Sequence, residues 1–294
     1  MELILLCLIG QLLLGTDSAH AAPNMENKGI FSSAQAAFAD ERHMAKRQKT
    51  EGAPDATLSG QILIQGNAPV VNWMVYLFNK TVGPPPSKDK YWRVPDLISS
   101  VDKDGKFSLA VSEGEYYLTA AQKDPNGELG PPTVSELHYF HGDAEWNPVP
   151  LIVTSGTKLN LGVLARVFMW TPEMITRDKG ITSIEGVVTD MEGKPLERAL
   201  VFAYLSKEVT GRPVFISERT DKNGRYLLRV HDGGTFFLKV RSVYGGGAPE
   251  AGEFLNITEE FKPFWVNLKK DQKLQGINLQ VKKFQKRGPV NTKQ

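Results

Sequence analysis

An internal repeat constrains this chain more than any other feature. Ser59-Gly60-Gln61-Ile62-Leu63-Ile64, then Asn67-Ala68-Pro69-Val70 and Val75-Tyr76, match Glu185-Gly186-Val187-Val188-Thr189-Asp190, Gly193-Lys194-Pro195-Leu196 and Val201-Phe202 without a gap. Further on, Val101-Asp102-Lys103-Asp104-Gly105-Lys106-Phe107 matches Thr220-Asp221-Lys222-Asn223-Gly224-Arg225-Tyr226. Gly114-Glu115-Tyr116-Tyr117-Leu118 matches Gly234-Thr235-Phe236-Phe237-Leu238, and Lys158-Leu159 to Leu164 matches Lys273-Leu274 to Leu279. Separated blocks that keep their order and spacing mean two copies of one structural unit. The copies occupy residues 57–170 and 182–285, joined near 171–180 where Pro172 and Gly180 punctuate a polar stretch.

Within each copy the pattern is that of strands. Short alternating or wholly apolar runs are broken by Gly, Pro, Asn and Asp, and helical periodicity is nearly absent. Strands are expected over residues 58–65, 70–78, 106–111, 115–121, 149–153 and 158–168. An apolar content of 41% against 23% charged residues leaves enough material for a core. In Asp102-Lys103-Asp104-Gly105 and Asp221-Lys222-Asn223-Gly224 the leading Asp bonds a tight turn and the glycine supplies positive φ. Calcium is the competing reading of these loops, but the further oxygen ligands and distal Glu of an EF-hand are missing from Phe107-Ser108-Leu109-Ala110. Gly60 and Gly186, inside first strands, mark a bulge or a close backbone approach, and Pro69 and Pro195 open the turn into the second strand.

The run S/E-G-x-V/I, G-x-P-L/V, V-x-L/A-Y/F, T/V-D-x-x-G-x-F/Y-x-L and G-x-Y/F-Y/F-L resembles the carboxypeptidase regulatory-like domains and is similar to the collagen-adhesin B-type repeats. The resemblance covers both copies. It implies an all-β chain of two tandem seven-stranded immunoglobulin-like or prealbumin-like Greek-key β-sandwiches, modules that space, accompany or recognise and carry no catalytic residues of their own. Some adhesin repeats of this kind form Lys–Asn isopeptide bonds. None is expected here, because Gln61 and Val187 follow the first-strand glycines.

Ahead of the repeat the sequence changes character. Leu3 to Leu14 is an apolar run of about a dozen residues, followed by Ser18-Ala19-His20-Ala21, which reads as a signal peptide cleaved after Ala21 or Ala22. Glu2 stands where such a segment normally has a positive residue. The run is shorter than the roughly 20 residues a membrane span needs, so no transmembrane segment is expected in the mature chain. Cys7 is the sole cysteine and lies in this segment, which removes disulfides, thiolate nucleophiles and cysteine metal sites from the mature protein. Residues 22–56 read as a linker, with a short helix around Ser32 to Arg42 that is either frayed or docks through Phe31 and Phe38. A formal net charge of +2 gives no general attraction to nucleic acid.

Candidate binding residues sit where the copies differ. The first carries an insertion, residues 82–95, in which Tyr91, Trp92 and Arg93 are residue types enriched in binding hot spots. Trp92 either stands exposed, to meet a protein or stack on a sugar ring, or folds back over the sandwich end. The first copy also has His138-Tyr139-Phe140-His141-Gly142-Asp143-Ala144-Glu145-Trp146, where His138, His141 and Trp146 form a polar loop at an interface or, less in keeping with strand geometry, part of a metal site. No nucleophile elbow, P-loop or zinc-protease motif occurs. Residues 127–132 and 245–249 form matching loops, and 286–294 is a basic tail preceded by Lys282-Lys283. The expected protein is exported, periplasmic, surface-attached or secreted. It is a cofactor-free, non-catalytic scaffold or adhesion module that recognises an envelope or extracellular protein. Polysaccharide binding through aromatic residues is the alternative, and a metal-dependent enzyme a distant third.

Overall fold

The computed structural model describes residues 54–64, 68–70, 72–122, 129–175, 180–209, 211–244, 251–256 and 263–285. The expected signal segment, Cys7, the linker helix, the 245–249 loop and the tail from residue 286 lie outside these residues. The first half contains β1 (Ala56–Ile64), β2 (Ala68–Pro69), β3 (Trp73–Asn79), β4 (Trp92–Arg93), β5 (Leu97–Ser100), β6 (Lys106–Val111), β7 (Gly114–Gln122), β8 (Leu137–Phe140), β9 (Leu151–Val153), β10 (Lys158–Leu164) and β11 (Val167–Met169). A 3-10 turn, Pro172–Met174, leads to β12 (Thr182–Thr189), β13 (Leu200–Tyr204), β14 (Phe215–Ile216), β15 (Arg225–Val230) and β16 (Gly234–Arg241). The chain then runs through β17 (Phe254–Leu255), β18 (Phe264–Leu268), β19 (Lys273–Leu274), β20 (Leu279–Gln280) and β21 (Lys282–Lys283). The chain is all-β. The ladders divide more finely than seven strands per copy, because several edge pieces are only two or three residues long.

One ladder pattern occurs twice. β1 pairs antiparallel with β6 and parallel with β10, as β12 does with β15 and with β19 and β20. Opposite each lies a larger antiparallel sheet, β3 with β5 and β7 in the first half and β13 with β14 and β16 in the second. Each pair of sheets closes on its own apolar cluster, with Leu58, Val75 and Leu118 in one and Ile184, Val201 and Leu238 in the other. Alternation does the sorting, since residues two apart on a strand share a face.

The repeated turn residues act as tethers. Asp102 Oδ1 accepts from the Asp104 and Lys106 amides at 2.9 and 2.8 Å, and Asp221 Oδ1 accepts from Asn223 and Arg225 at 2.8 and 2.9 Å. Gly105 and Gly224 take φ of +73° and +72°, and a Cβ on either would lie 2.4 Å from a backbone carbonyl oxygen. Gly186 is a different case. Its φ is ordinary, but a Cβ there would fall 1.9 Å from the Ile277 carbonyl oxygen, so the parallel neighbour can approach only a glycine.

One expected strand is corrected. Residues 158–168 form two strands in different sheets, because the ladder of β1 with β10 shifts register between Ser59 and Gln61 and Gly162 takes φ +67°. Arg166 then donates to the carbonyls of Asp143 and Ala144, drawing the chain across to β8, where β11 pairs. The basic pair Lys282-Lys283 is β21, paired with β17.

Candidate functional site

Two strands lack the alternation of a half-solvated sheet. Trp73-Met74-Val75-Tyr76-Leu77-Phe78 and Leu200-Val201-Phe202-Ala203-Tyr204 are apolar throughout, which requires cover on both faces. In β13, Val201 and Ala203 enter the second core, whereas Leu200, Phe202 and Tyr204 form a third cluster with Trp92, Val94, Trp170 and Ile216. This third cluster is a seam between the outer sheet faces of the two sandwiches.

The insertion of residues 82–95 builds the seam. Trp92 and Arg93 pair antiparallel with Ile216 and Phe215, and the Val94 amide donates to the Val214 carbonyl at 2.9 Å, so the first half lends an edge strand to the second sandwich. Tyr91 packs in the second core, edge-on to Phe215 at 5.5 Å and to His231 at 5.4 Å, while its hydroxyl donates to the Pro85 carbonyl at 2.7 Å. Trp92 crosses Trp170 at 5.8 Å and lies under the Arg229 guanidinium at 5.2 Å. Arg93 anchors the strap to the first half, donating to the carbonyls of Pro84 and Asn79 at 2.6 Å each and to Asp96 at 3.1 Å. Burial holds the Asp96 carboxyl above its ordinary value despite the Asn79 amide and Arg93.

Of the two readings open for Trp92, the exposed one is not what the structure shows: Tyr91, Trp92 and Arg93 are 5, 6 and 6% exposed. The alternative, Trp92 folding back, is nearer, except that it folds across the seam onto the other sandwich. The edge of β14 supplies the reason, since its unpaired backbone groups need a strand and the strap provides one.

The remaining candidates separate. His138 lies on the outer face of β8, its Nε2 3.4 Å from Glu136 and its ring stacked on Phe168 at 5.9 Å. Burial raises the Glu136 carboxyl, but hydrogen bonds from His138 and from Thr133, at 3.0 Å from its amide and 2.6 Å from its hydroxyl, outweigh that and leave it below the ordinary range. His141 lies past the strand end with Nδ1 3.1 Å from the Tyr139 hydroxyl, and burial lowers its pKa. The two imidazoles therefore serve different partners, and among the described residues no three His, Cys, Asp or Glu side chains converge as metal ligands. Trp146 is half-buried at φ +68°, against Phe168 at 5.1 Å, with Arg166 3.6 Å and Lys88 5.5 Å from its ring centre.

The seam encloses a cavity of about 190 Å³. Its floor is the outer face of the first large sheet, where register aligns Tyr76, Thr119 and Phe140 in one row and Ala121, His138 and Phe168 in the next. The hollow lies where the central strand β7 presents the small side chains of Thr119 and Ala121 between larger rings. Ile216 and Tyr244 face it from the second sandwich, and Lys88, Arg198 and Arg219 line it with side chains that reach solvent. Arg219 donates across the seam to Leu129 at 3.5 Å and within the second sandwich to Arg198 at 3.0 Å, both at carbonyl oxygens. Sequence reasoning missed Trp170, Arg219 and Tyr244; the unalternating runs of β3 and β13 were the signal that a second face was covered.

Elsewhere, Trp265 on edge strand β18 is 61% exposed. It lies opposite Phe237, one row from a 2.8 Å hydrogen bond between Asn267 and Thr235. Among the described residues no helix is long and apolar enough to cross a membrane.

No family model matches the chain, and no curated protein does. Among solved structures it is similar to the Bacillus anthracis TIE protein, 13% identical over 77% of this chain and 34% of that one, with a TM-score of 0.25. A streptococcal ancillary pilin is 11% identical over 77% of this chain and 62% of its own, TM-score 0.23. A DUF3823 family protein of Bacteroides uniformis is 11% identical over 79% and 99%, TM-score 0.24. The chain thus spans about a third of the first and under two thirds of the second. Superpositions this loose say nothing of activity or ligand.

Proposed function

We propose that this chain is a non-catalytic, exported structural and binding protein, whose two sandwiches are fixed as one body that holds loops at its ends for a protein partner outside the cell. The strand lent by the first half to the second sheet supports this reading most directly. A passive linker leaves relative motion as the default, whereas backbone pairing plus a buried aromatic seam fixes an orientation. Spin labels on opposite sandwiches are expected to give one narrow distance distribution, which broadens in Trp92→Ala. A broad distribution in the unaltered protein overturns the single-body reading. Photo-crosslinkers placed on the sandwich-end loops in the source cells test the partner. Recovery of no protein from any of those positions removes the recognition half of the proposal.

Trp265 supports a second reading, polysaccharide binding. An exposed indole offers a flat apolar face for a sugar ring, and the adjacent Asn267 and Thr235 offer donors and acceptors for hydroxyls. Retention on insoluble polysaccharide that is lost in Trp265→Ala, with an unchanged melting temperature, favours it. Equal retention of the variant counts against it.

A further inference from the structure

The seam cavity mixes ring faces with hydroxyls. Phe78, Trp92, Phe140, Trp170 and Ile216, all under a tenth exposed, are its apolar walls. Tyr76 lines it from the first sandwich, Tyr244 from the second and Thr119 from the floor. Among the described residues none of these three hydroxyls makes a hydrogen bond, and none is sealed into the packing. Polar groups this far inside a protein are normally bonded, so three that share one hollow are set for an occupant. Burial raises the pKa of both phenols, with Glu136 adding to it at Tyr76 and Tyr76 adding to it at Tyr244. Both tyrosines therefore stay neutral, and each hydroxyl can donate and accept.

The charged side chains of the lining are already engaged. Arg93 pairs with Asp96 and Glu136 with His138. Arg219 donates to the carbonyls of Arg198, Ser242 and Leu129, Arg198 has an interaction of its own, and Lys88 lies over the Trp146 ring at 5.5 Å. A charged ligand would have to compete with these contacts, whereas a neutral one can use the hydroxyls alone. Size narrows the class further. An engineered cavity of about 150 Å³ holds benzene, and sites for drug-sized ligands start near about 300 Å³. A space of about 190 Å³ takes one six-membered ring with small substituents. Hydroxyl rotors turn to suit a partner that itself donates and accepts, which amides and carboxylates with fixed polarity do not. A ring with hydroxyls at its edge and C–H groups on its faces meets both parts of this lining.

We propose that the seam cavity binds one neutral pyranose unit, its ring over Thr119 and Ala121 between the aromatic walls and its hydroxyls toward Tyr76 and Tyr244. The unit is either a free monosaccharide or the terminal residue of a glycan, which share this chemistry. Gln122, Gly130, Thr133 and Arg198, the exposed part of the lining, form the mouth through which it enters. The site rests on neither reading above: it needs only the closed seam, and Trp265 is not part of the lining.

Titration of the intact protein with glucose, galactose, mannose and N-acetylglucosamine tests the site, read from the indole N–H signals of Trp92 and Trp170. At least one of these sugars is expected to bind saturably, with a dissociation constant of about 1 mM or below. Cyclohexanol, the same ring size with one hydroxyl, should bind at least about tenfold more weakly. Tyr76→Phe and Tyr244→Phe should each weaken binding about three- to tenfold, and together they should abolish it. Both variants should melt at the parent temperature, because these hydroxyls hold no other part of the chain; a lowered melting temperature counts against the site. The trisaccharide of the sugar that binds separates the sources: equal affinity assigns the site to a glycan end, and exclusion assigns it to the free sugar. No saturable binding by any of these sugars, cyclohexanol binding as tightly as the best of them, or unchanged binding in the double variant overturns the proposal. Loss of the titration in Trp265→Ala overturns it too, by moving the sugar to β18. Failed retention on insoluble polysaccharide with an intact seam titration sinks the Trp265 reading alone.

Discussion

Glycines in this chain serve two distinct physical needs. At Gly193 the backbone takes φ +82° with no atom within 4 Å of a would-be Cβ, so an alanine there strains only the dihedral. At Gly186 the dihedral is ordinary, yet the Ile277 backbone occupies the space a methyl needs. Gly193→Ala should therefore cost about 1 kcal/mol, whereas Gly186→Ala should cost upwards of about 3 kcal/mol because the paired strand must move. Chemical denaturation of the two variants side by side checks this, and equal losses would show that the strand of Ile277 relaxes freely. The sequence marked Gly186 as a bulge or close approach but not which neighbour approached, since that depends on the segment between β19 and β20, some 90 residues later. Glu136 makes the other residue-scale case. Its carboxyl is held below the ordinary glutamate value of 4.5 by His138 and Thr133 against the upward push of burial. Because the folded value lies below the unfolded one, its stabilising contribution is complete above about pH 4.5 and is lost as pH falls through the folded value. Glu136→Gln should be less stable than the parent at pH 7, and the gap should close in the acid limb. A constant gap from pH 7 to pH 3 would assign the loss to packing.

Among the elements, the strap of residues 82–95 was the least legible. Its composition was read as a recognition loop because Tyr, Trp and Arg favour interfaces, whereas the structure buries these residues against the second half of the same chain. What composition could not give was the partner, which is the chain's own second sheet. The hint lay in β3 and β13, whose runs without alternation announced a covered outer face, while the turns at Asp102 and Asp221 were readable because the partners of these two aspartates lie within four residues. Local chemistry is written locally, and seams are not. The strap holds by backbone pairing as well as by packing. Val94→Pro removes the amide that donates to Val214 while leaving Tyr91 and Trp92 in place. It should cost about 1–3 kcal/mol, the penalty of an unsatisfied buried carbonyl and a broken ladder position. Limited proteolysis should then cut within residues 82–95 under conditions where the parent is resistant. Resistance equal to the parent would mean that the side chains alone hold the strap.

At the scale of the molecule, the repeat and the seam make opposite demands on unfolding. Two sandwiches with separate cores, one around Leu58 and Val75 and the other around Ile184 and Val201, have the makings of two independent cooperative units. The seam couples them. Trp92, Trp170, Phe202 and Ile216 are shared cover, and Tyr91 belongs by chain to the first half and by packing to the second core. Unfolding either sandwich alone exposes that surface and breaks the pairing of β4 with β14, so the intermediate loses contacts that neither half can restore. Calorimetry of the intact protein should accordingly show one transition with the calorimetric and van't Hoff enthalpies in agreement. Truncating the seam at two contacting rings, Trp92→Ala with Trp170→Ala, removes about 3–5 kcal/mol at each site before their mutual coupling is counted. The coupling energy then falls below what makes the halves melt together, and the endotherm should split in two. Two transitions in the parent would mean that the strap is a tether and the sandwiches fold as neighbours. A single transition in the double variant would place the coupling in backbone pairing and in the contacts of Phe202 and Ile216.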